Sequence, residues 1–192
     1  MARRIYNFDS PDRFVAGALG QPGNRTFYLQ AREGERIISV LLEKVQVELL
    51  AERLTQLLSE VRTLGASVPD EPAPADLDTA PLDEPVNITF RVGTMAIVWD
   101  GDEESVVVEA RALADDDDLA GALAEVDAEE DADDAADDET DVVRVNMAPR
   151  KALAFAQRAL EVVAAGRPPC PFCGQPLNAE GHICARRNGF MH

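Results

Sequence analysis

The sequence is poor in aromatic residues and has no long apolar run. Only 5% of its 192 residues are Phe, Trp or Tyr, so a core has to be built mainly from Val, Leu, Ile and Ala. No stretch approaches the roughly 20 apolar residues that a membrane-spanning helix needs. The first residues also lack the apolar segment of a secretory signal. We therefore expect a soluble cytoplasmic protein that has no membrane partner.

Histidine and cysteine are also scarce, with two and three residues respectively. Three cysteines leave one over after any disulfide pair, and a cytoplasmic protein keeps its thiols reduced, which disfavours a disulfide framework. No Ser or Cys nucleophile with its general base can be assembled from the sequence. We therefore predict no catalytic residues and favour a binding protein over an enzyme.

All three cysteines and one histidine lie within fifteen positions near the C-terminus, as Cys170, Cys173, His182 and Cys184. A tight turn brings the first two side chains together, and the last two point to the same side of an extended segment. Zinc prefers four tetrahedral thiolate and imidazole ligands, and Cys3His is a common structural set. Four protein ligands leave no position for water or substrate, so the pattern predicts a structural Zn²⁺ site.

Two further interpretations of this motif stay open besides a disulfide: a redox C-x-x-C pair and three unrelated buried thiols. A redox pair normally opens a helix that follows a strand, whereas Pro168, Pro169 and Pro171 surround the first cysteine here. The spacing of the four ligands favours zinc over both alternatives.

The net charge of −18 comes from two segments that contain no basic residue. Residues 115–141 carry 15 acidic side chains and residues 70–84 carry six, while the rest of the chain has 15 acids and 18 Lys and Arg. Self-repelling acidic sequence does not bury enough apolar surface to fold. We predict a disordered acidic insert at 113–140 and, because of its prolines, an unordered linker at 66–85.

The remaining pattern predicts an α+β domain over residues 1–166, followed by a small zinc-binding tail over 167–192. Alternating apolar residues indicate strands at 5–8, 26–30, 36–42, 86–92, 95–99, 105–110 and 141–146. Apolar residues at a spacing of three and four indicate two amphipathic helices, one from 43 to Gly65 and one that begins at Pro149. We expect a mainly antiparallel sheet that carries the two helices.

A second candidate site is the glycine-rich stretch formed by Arg13, Gly17, Gly20, Gly23 and Arg25, which we read as a loop between strands. Glycines and arginines together are able to cradle a phosphate group. A phosphate site normally lies at the start of a helix, where free N–H groups and the helix dipole point at the anion. No helix start follows these glycines, so a crossing loop is the simpler interpretation.

Arginines also flank the zinc motif, at positions 167, 186 and 187. Basic residues on a zinc module are able to grip nucleic acid. However, three thiolates and one Zn²⁺ leave about one negative charge for nearby arginines to offset, and the acidic chain repels phosphate backbones. We therefore do not expect a nucleic-acid partner.

The sequence resembles an actinobacterial family of unknown function, domain of unknown function 3090. The resemblance rests on Phe-Val-Ala-Gly at 14–17, Gly-Gln-Pro-Gly at 20–23 and Arg-Thr-Phe-Tyr-Leu-Gln at 25–30. It also rests on Cys-Pro-x-Cys-Gly-x-Pro at 170–176, Gly-His-x-Cys at 181–184 and Arg-Asn-Gly-Phe at 187–190. It spans nearly the whole chain apart from the acidic insert, and Ala185 departs from the expected proline. The resemblance implies a bacterial cytoplasm and no particular activity.

The sequence thus predicts a zinc-binding protein that acts as a non-catalytic binding or adaptor protein with a protein partner. One alternative is a nucleotide- or phosphoester-related enzyme that uses the glycine-rich stretch at 17–25. A weaker alternative is a nucleic-acid-binding regulator that acts through the zinc tail.

Overall fold

The computed structural model describes residues 3–114 and 140–166, together with Cys170, Phe172, Cys173 and Cys184. Within these residues the chain forms seven strands and two helices. In chain order the elements are β1 (Ile5–Phe8), β2 (Arg13–Gln21), β3 (Asn24–Glu33), β4 (Arg36–Leu42), α1 (Lys44–Thr63), β5 (Ile88–Asp100), β6 (Ser105–Ala112), β7 (Val142–Met147) and α2 (Pro149–Ala164). The predicted α+β fold with two helices is confirmed.

The strands form one mixed sheet in the order β1-β7-β6-β5-β4-β3-β2. Strands β2, β3 and β4 form an antiparallel meander that leads into α1, and strands β5, β6 and β7 form a second one that leads into α2. The two parallel pairs are β4 with β5 and β1 with β7. A parallel pair needs a crossover connection, which α1 provides between β4 and β5. The sheet is therefore mainly antiparallel, as predicted.

The sheet is strongly curled, as the position of its two edge strands shows: β1 and β2 lie at opposite edges of the sheet but are consecutive in the chain. The path from Phe8 to Arg13 has five residue steps and spans at most about 18 Å. Seven strands in a flat sheet would separate the edges by about 29 Å. Consistent with a curl, the Arg36 guanidinium of β4 lies 4.2 Å from the centroid of the Phe8 ring in β1. Strand β1 therefore lies beside the β3–β4 hairpin.

The core lies between one face of this sheet and both helices. Leu54 and Leu58 of α1 are buried against it, and Phe155 of α2 stacks on Phe14 of β2 with ring centroids 4.6 Å apart. Full burial of one such side chain stabilises the fold by about 1.5–3 kcal/mol. This apolar layer is therefore the main source of stability, and it fixes α2 across β2.

The helix ends follow the sequence signals. The Gln46 side chain accepts a hydrogen bond from the Glu43 amide at 2.9 Å, which satisfies a donor that precedes the first turn of α1. Gly65 follows this helix with a φ of 104°, which a residue with a side chain rarely adopts. Pro149 is the first residue of α2, as predicted.

Two secondary-structure predictions were wrong. The glycine-rich stretch, predicted as a loop, contains strand β2, which pairs with β3 along its whole length. The two strands predicted at 86–92 and 95–99 form one long strand, β5, with a register shift between Val92 and Thr94. A Cβ at Gly93 would lie 2.9 Å from the Cα of Leu113, so close backbone approach requires this glycine.

We call residues 66–85 the strap; the sequence indicates an unordered linker here. The segment does connect the two halves of the chain, but it packs on the folded domain. Leu82 is buried against Gly17, and Asp78 forms ion pairs with Arg13 of β2 and Arg158 of α2. The prediction of an unordered linker considered only the composition of the strap itself. The strap is instead held in place by side chains of distant elements, β2 and α2.

The strap crosses the edge of the sheet at β2. Its Asp78 contacts α2, which packs on the same sheet face as Phe14. Its Leu82 contacts Gly17, which lies three residues further along β2 and therefore faces the opposite side. The strap thus begins on the helix side and ends on the other face.

Most of the predicted acidic insert, residues 115–139, lies outside the described residues, and the limits of the predicted tail stay a prediction. Among the described residues, no helix combines the length and apolar character needed to cross a membrane.

Candidate metal centre

The structure brings the three cysteines together. The Sγ atoms of Cys170, Cys173 and Cys184 all lie within 4.8 Å of one another, and none of the three forms a disulfide. Thiolates bound at about 2.3 Å to one tetrahedral zinc lie about 3.8 Å apart. Sulfurs in a disulfide are separated by about 2.05 Å. The three sulfurs are therefore close enough together to bind one metal ion.

The local backbone favours a thiolate at Cys170. Burial raises the pKa of this thiol. Hydrogen bonds from the backbone of Phe172 and Cys173 and from the thiols of Cys173 and Cys184 lower the pKa by more than burial raises it. The net result is a pKa below the ordinary value of a cysteine. Cys170 and Cys184 are buried, whereas Cys173 is half-buried. Because the thiolate is the form that binds metal, this turn is suited to hold a divalent ion.

The predicted fourth ligand, His182, lies outside the described residues. The structure thus places three of the four predicted ligands together, and the imidazole stays a prediction. Three thiolates that share one small volume repel each other unless a cation or protons neutralise them. The donor set of soft sulfur atoms fits zinc among the divalent ions.

The family model described as protein of unknown function (DUF3090) matches residues 6–184 of this chain. The chain belongs to this family. The match includes every position of the cysteine and histidine motif as well as the strap. No curated protein and no solved structure matches the chain. The family assignment therefore confirms the resemblance to domain of unknown function 3090, whereas the actinobacterial origin stays a prediction, and it brings no activity with it.

The glycine-rich candidate residues do not surround one point. Arg13 and Gly17 lie along β2, whereas Gly20, Gly23 and Arg25 lie at the β2–β3 hairpin. Seven residue steps separate Arg13 from Gly20 along β2, which corresponds to about 23 Å, so the two ends of the stretch are far apart. Gly20 and Gly23 have φ values of 101° and 95°, so the tight turn explains both glycines. The arrangement does not form a phosphate cradle, and a ligand for these residues stays a prediction.

Arg13 instead belongs to a charge cluster that the sequence reasoning missed. The Asp78 carboxylate accepts hydrogen bonds from Arg13 Nε at 2.5 Å and Nη2 at 3.0 Å, and from Arg158 Nη1 at 2.8 Å. Hydrogen bonds from Arg13, helped by the charge of Arg158, hold the pKa of Asp78 below its ordinary value. Burial lowers the pKa of the Arg158 guanidinium, although it stays protonated.

A second charge cluster lies on the sheet face away from the helices. Glu109 of β6 is buried and accepts hydrogen bonds from Arg144 Nε at 2.6 Å and from Arg111 Nη2 at 3.2 Å. Glu109 and Arg144 are directly opposite in the β6–β7 ladder, where opposite charges stabilise the pair. Both donors to Glu109 are arginines of the same sheet, which favours a structural role for this cluster.

A cavity of about 450 Å³ lies between the start of β2, the strap and α2. Three acidic and three basic side chains line it, so their formal charges balance. Those side chains are Asp12, Arg13, Asp76, Asp78, Lys151 and Arg158. Both guanidinium groups already donate to Asp78 and to carbonyls of the strap, so most of their donors are used within the protein. Arg13 and Arg158 therefore position the strap at this cavity.

Proposed function

We propose that this protein is a non-catalytic binding or adaptor protein whose C-terminal segment holds one structural zinc ion. Cys170, Cys173 and Cys184 supply three ligands and His182 supplies the fourth. The convergence of the three sulfurs within 4.8 Å of one another is the observation that carries the metal site. A complete set of four protein ligands leaves no position for a reacting water, so the ion stabilises structure.

The polar clusters of the described residues support a binding role. Asp78 is held by two arginines, and Glu109 is held by two others, so neither carboxylate is poised to accept a proton from a substrate. The charges within these clusters stabilise the fold. Since these charged groups are used within the fold, a partner would bind at the outer surface of the domain. We propose that this partner is a protein.

Metal analysis of the purified protein in reducing buffer tests the zinc site. We expect about one zinc per chain, which Cys173→Ser and His182→Ala both remove because a structural site needs all its ligands. His192→Ala is the matched control, since it changes the other histidine of the chain and should leave the zinc content unchanged. Intact, reduced protein without bound metal would refute the site, and another metal in its place would refute zinc.

Capture from cell lysate tests the binding role. We expect a stoichiometric protein partner that stays bound at high salt when residues 115–139 are deleted, because the deletion removes non-specific attraction to acidic sequence. The absence of any stoichiometric protein would contradict the adaptor function. Binding of random single- or double-stranded nucleic acid at low salt would instead favour the regulator alternative.

A further inference from the structure

The domain holds part of the strap mainly by its backbone. Arg13 Nη2 donates to the carbonyls of Ala80 at 2.9 Å and Pro81 at 2.8 Å, and Arg158 Nη2 donates to that of Ala80 at 2.7 Å. Arg158 Nη1 also donates to the Asp78 carbonyl. Hydrogen bonds to main-chain carbonyls depend little on which side chains the strap carries. We call the surface of β2, β3 and α2 that makes these contacts the strap groove.

Gln30 continues this pattern at the other end of the strap groove. Its Nε2 donates to the Asp83 carbonyl at 3.0 Å, and its Oε1 accepts from the Asp83 amide at 2.8 Å. The side-chain amide thus pairs with the strap backbone as a neighbouring strand would. Gln30 is only 1% exposed and is oriented by Ser39, whose hydroxyl accepts its second N–H bond at 3.0 Å. A buried amide that is fixed in this way recognises an extended chain.

Within residues 78–83 of the strap, the groove contacts three side chains. The Asp78 carboxylate lies between Arg13 and Arg158, and that of Asp83 lies 3.1 Å from Arg32 and 3.2 Å from Arg13. Leu82 is 6% exposed. A Cβ at Gly17 would lie 2.7 Å from Leu82 Cγ, so this glycine makes the space that the leucine fills.

The remaining side chains of this segment, those of Thr79, Ala80 and Pro81, are exposed. Pro81 restricts the backbone just before Leu82, which favours an extended conformation. The groove therefore contacts two carboxylates and one leucine at a fixed spacing along an extended chain. Main-chain hydrogen bonds combined with a few side-chain pockets are the usual means by which a domain recognises an extended peptide.

We propose that the strap groove is a peptide-recognition surface that residues 78–83 occupy in cis. Its partner in trans is an extended acidic segment of another protein with the pattern Asp-x-x-Pro-Leu-Asp. Charge complementarity supports an acidic partner, because Arg13, Arg32 and Arg158 all face the bound segment. The inference rests on the proposed binding role and names its partner chemistry, but it does not depend on the metal.

The strap then acts as a tethered competitor. A segment linked by a short chain competes at an effective concentration of the order of millimolar. A peptide in trans therefore binds wild-type protein weakly, and it binds a variant with a weakened strap more tightly. This difference between two forms of the full chain is what an experiment measures.

The test uses a fluorescent synthetic peptide with the sequence of residues 76–85 and the full chain with Asp78→Ser, Leu82→Ser and Asp83→Ser. We expect saturable binding of one peptide per chain by anisotropy, at least about 10-fold tighter than to wild type. A peptide with the same three residues replaced by serine should bind at least about 10-fold more weakly, because the ion pairs of both carboxylates and the leucine contact are lost. Adding Gly17→Val to the protein should block binding, since it fills the leucine space.

A cooperative thermal transition shows whether the triple variant is folded. If it is not, Leu82→Ala alone replaces it, because this change keeps both carboxylates and should still bind the peptide more tightly than wild type. Absence of binding to a folded variant, or equal binding to variant and wild type, overturns the inference. So does a dimer that exchanges straps, seen by light scattering, because the occupant is then a second copy.

Zinc content measured on the same samples separates the two proposals. Protein with one zinc that binds no peptide contradicts only the groove. Metal-free protein that binds the peptide contradicts only the metal site.

Discussion

Replacing Asp78 by asparagine keeps the size of the side chain and removes its charge, which leaves Arg13 and Arg158 close together without their shared counter-ion. Four donors point at this carboxylate: two nitrogens of Arg13, one of Arg158 and the amide of Ala80. An asparagine has one acceptor oxygen and presents an NH₂ group in place of the other. At least one guanidinium therefore loses its partner.

The expected loss is about 2–4 kcal/mol of the free energy of unfolding. Removing one partner of a buried ion pair costs about 3–5 kcal/mol, because the other charge is left without compensation. The side chains of Arg13 and Arg158 are 7% and 10% exposed, but that of Asp78 is 30% exposed, so water reaches the cluster and reduces the loss. For a domain of this size, the corresponding decrease in Tm is roughly 5–15 °C.

Urea unfolding followed by circular dichroism measures this loss. Asp70→Asn is the matched control, because Asp70 pairs with Arg62 but its side chain is 91% exposed. An exposed pair of this kind contributes about 0–1 kcal/mol. If Asp78→Asn is no more destabilising than Asp70→Asn, the strap is not held by its charge cluster and the reasoning fails.

The pH dependence gives an independent check of the same cluster. The pKa of Asp78 is lowered in the folded state by its hydrogen bonds with Arg13. Its contribution to stability is therefore present above the unfolded-state pKa of about 3.9 and is lost as the pH falls through the lower, folded-state pKa. The difference in stability between wild type and Asp78→Asn should shrink below about pH 4 and stay constant between pH 6 and 8. A difference that grows on acidification would contradict the assignment.

Three further predictions follow from close contacts and from the metal site. Gly17→Val should cost about 1–3 kcal/mol in urea unfolding because it collides with Leu82; adding Leu82→Ala should restore part of that loss, and no restoration would refute the contact. Glu109→Gln should cost about 1–3 kcal/mol because it leaves Arg111 and Arg144 without a charge partner, whereas the exposed Glu103→Gln should stay within about 0.5 kcal/mol. Chelation of the metal should expose the three thiols to a thiol reagent and leave the far-ultraviolet circular dichroism of the sheet unchanged; a collapse of that signal would show that the metal supports the whole fold.

The elements that the sequence predicts well are those whose pattern is local. Strands such as Arg36–Leu42 and the helix Lys44–Thr63 bury one face, so their apolar period reports their structure directly. Strand β2 was missed because its glycines resemble a loop. Gly17 is required by a contact with Leu82, which is 65 positions away in the chain, and no local pattern shows such a contact.

The candidate sites divide in the same way. The spacing of Cys170, Cys173 and Cys184 predicts their convergence because a metal motif is short and each ligand is named by its chemistry. The pairing of Asp78 with Arg13 and Arg158 joins three separate segments and has no sequence motif. One signal was present: Arg158 lies three residues after Phe155, on the buried side of α2, where a charge needs a partner. That signal does not say which carboxylate provides it.

The location of the strap constrains how a partner would bind. Strand β2 is an edge of the sheet, and an open edge pairs readily with other chains. Arg158 donates to the β2 carbonyl of Ala16 at 3.0 Å, and the strap crosses the same edge. A partner that displaced the strap would uncover this edge, so it has to cover the edge as it binds. This argues that a partner replaces the strap with an extended segment of its own. Such an exchange is consistent with a strap groove that binds main-chain groups more than side chains.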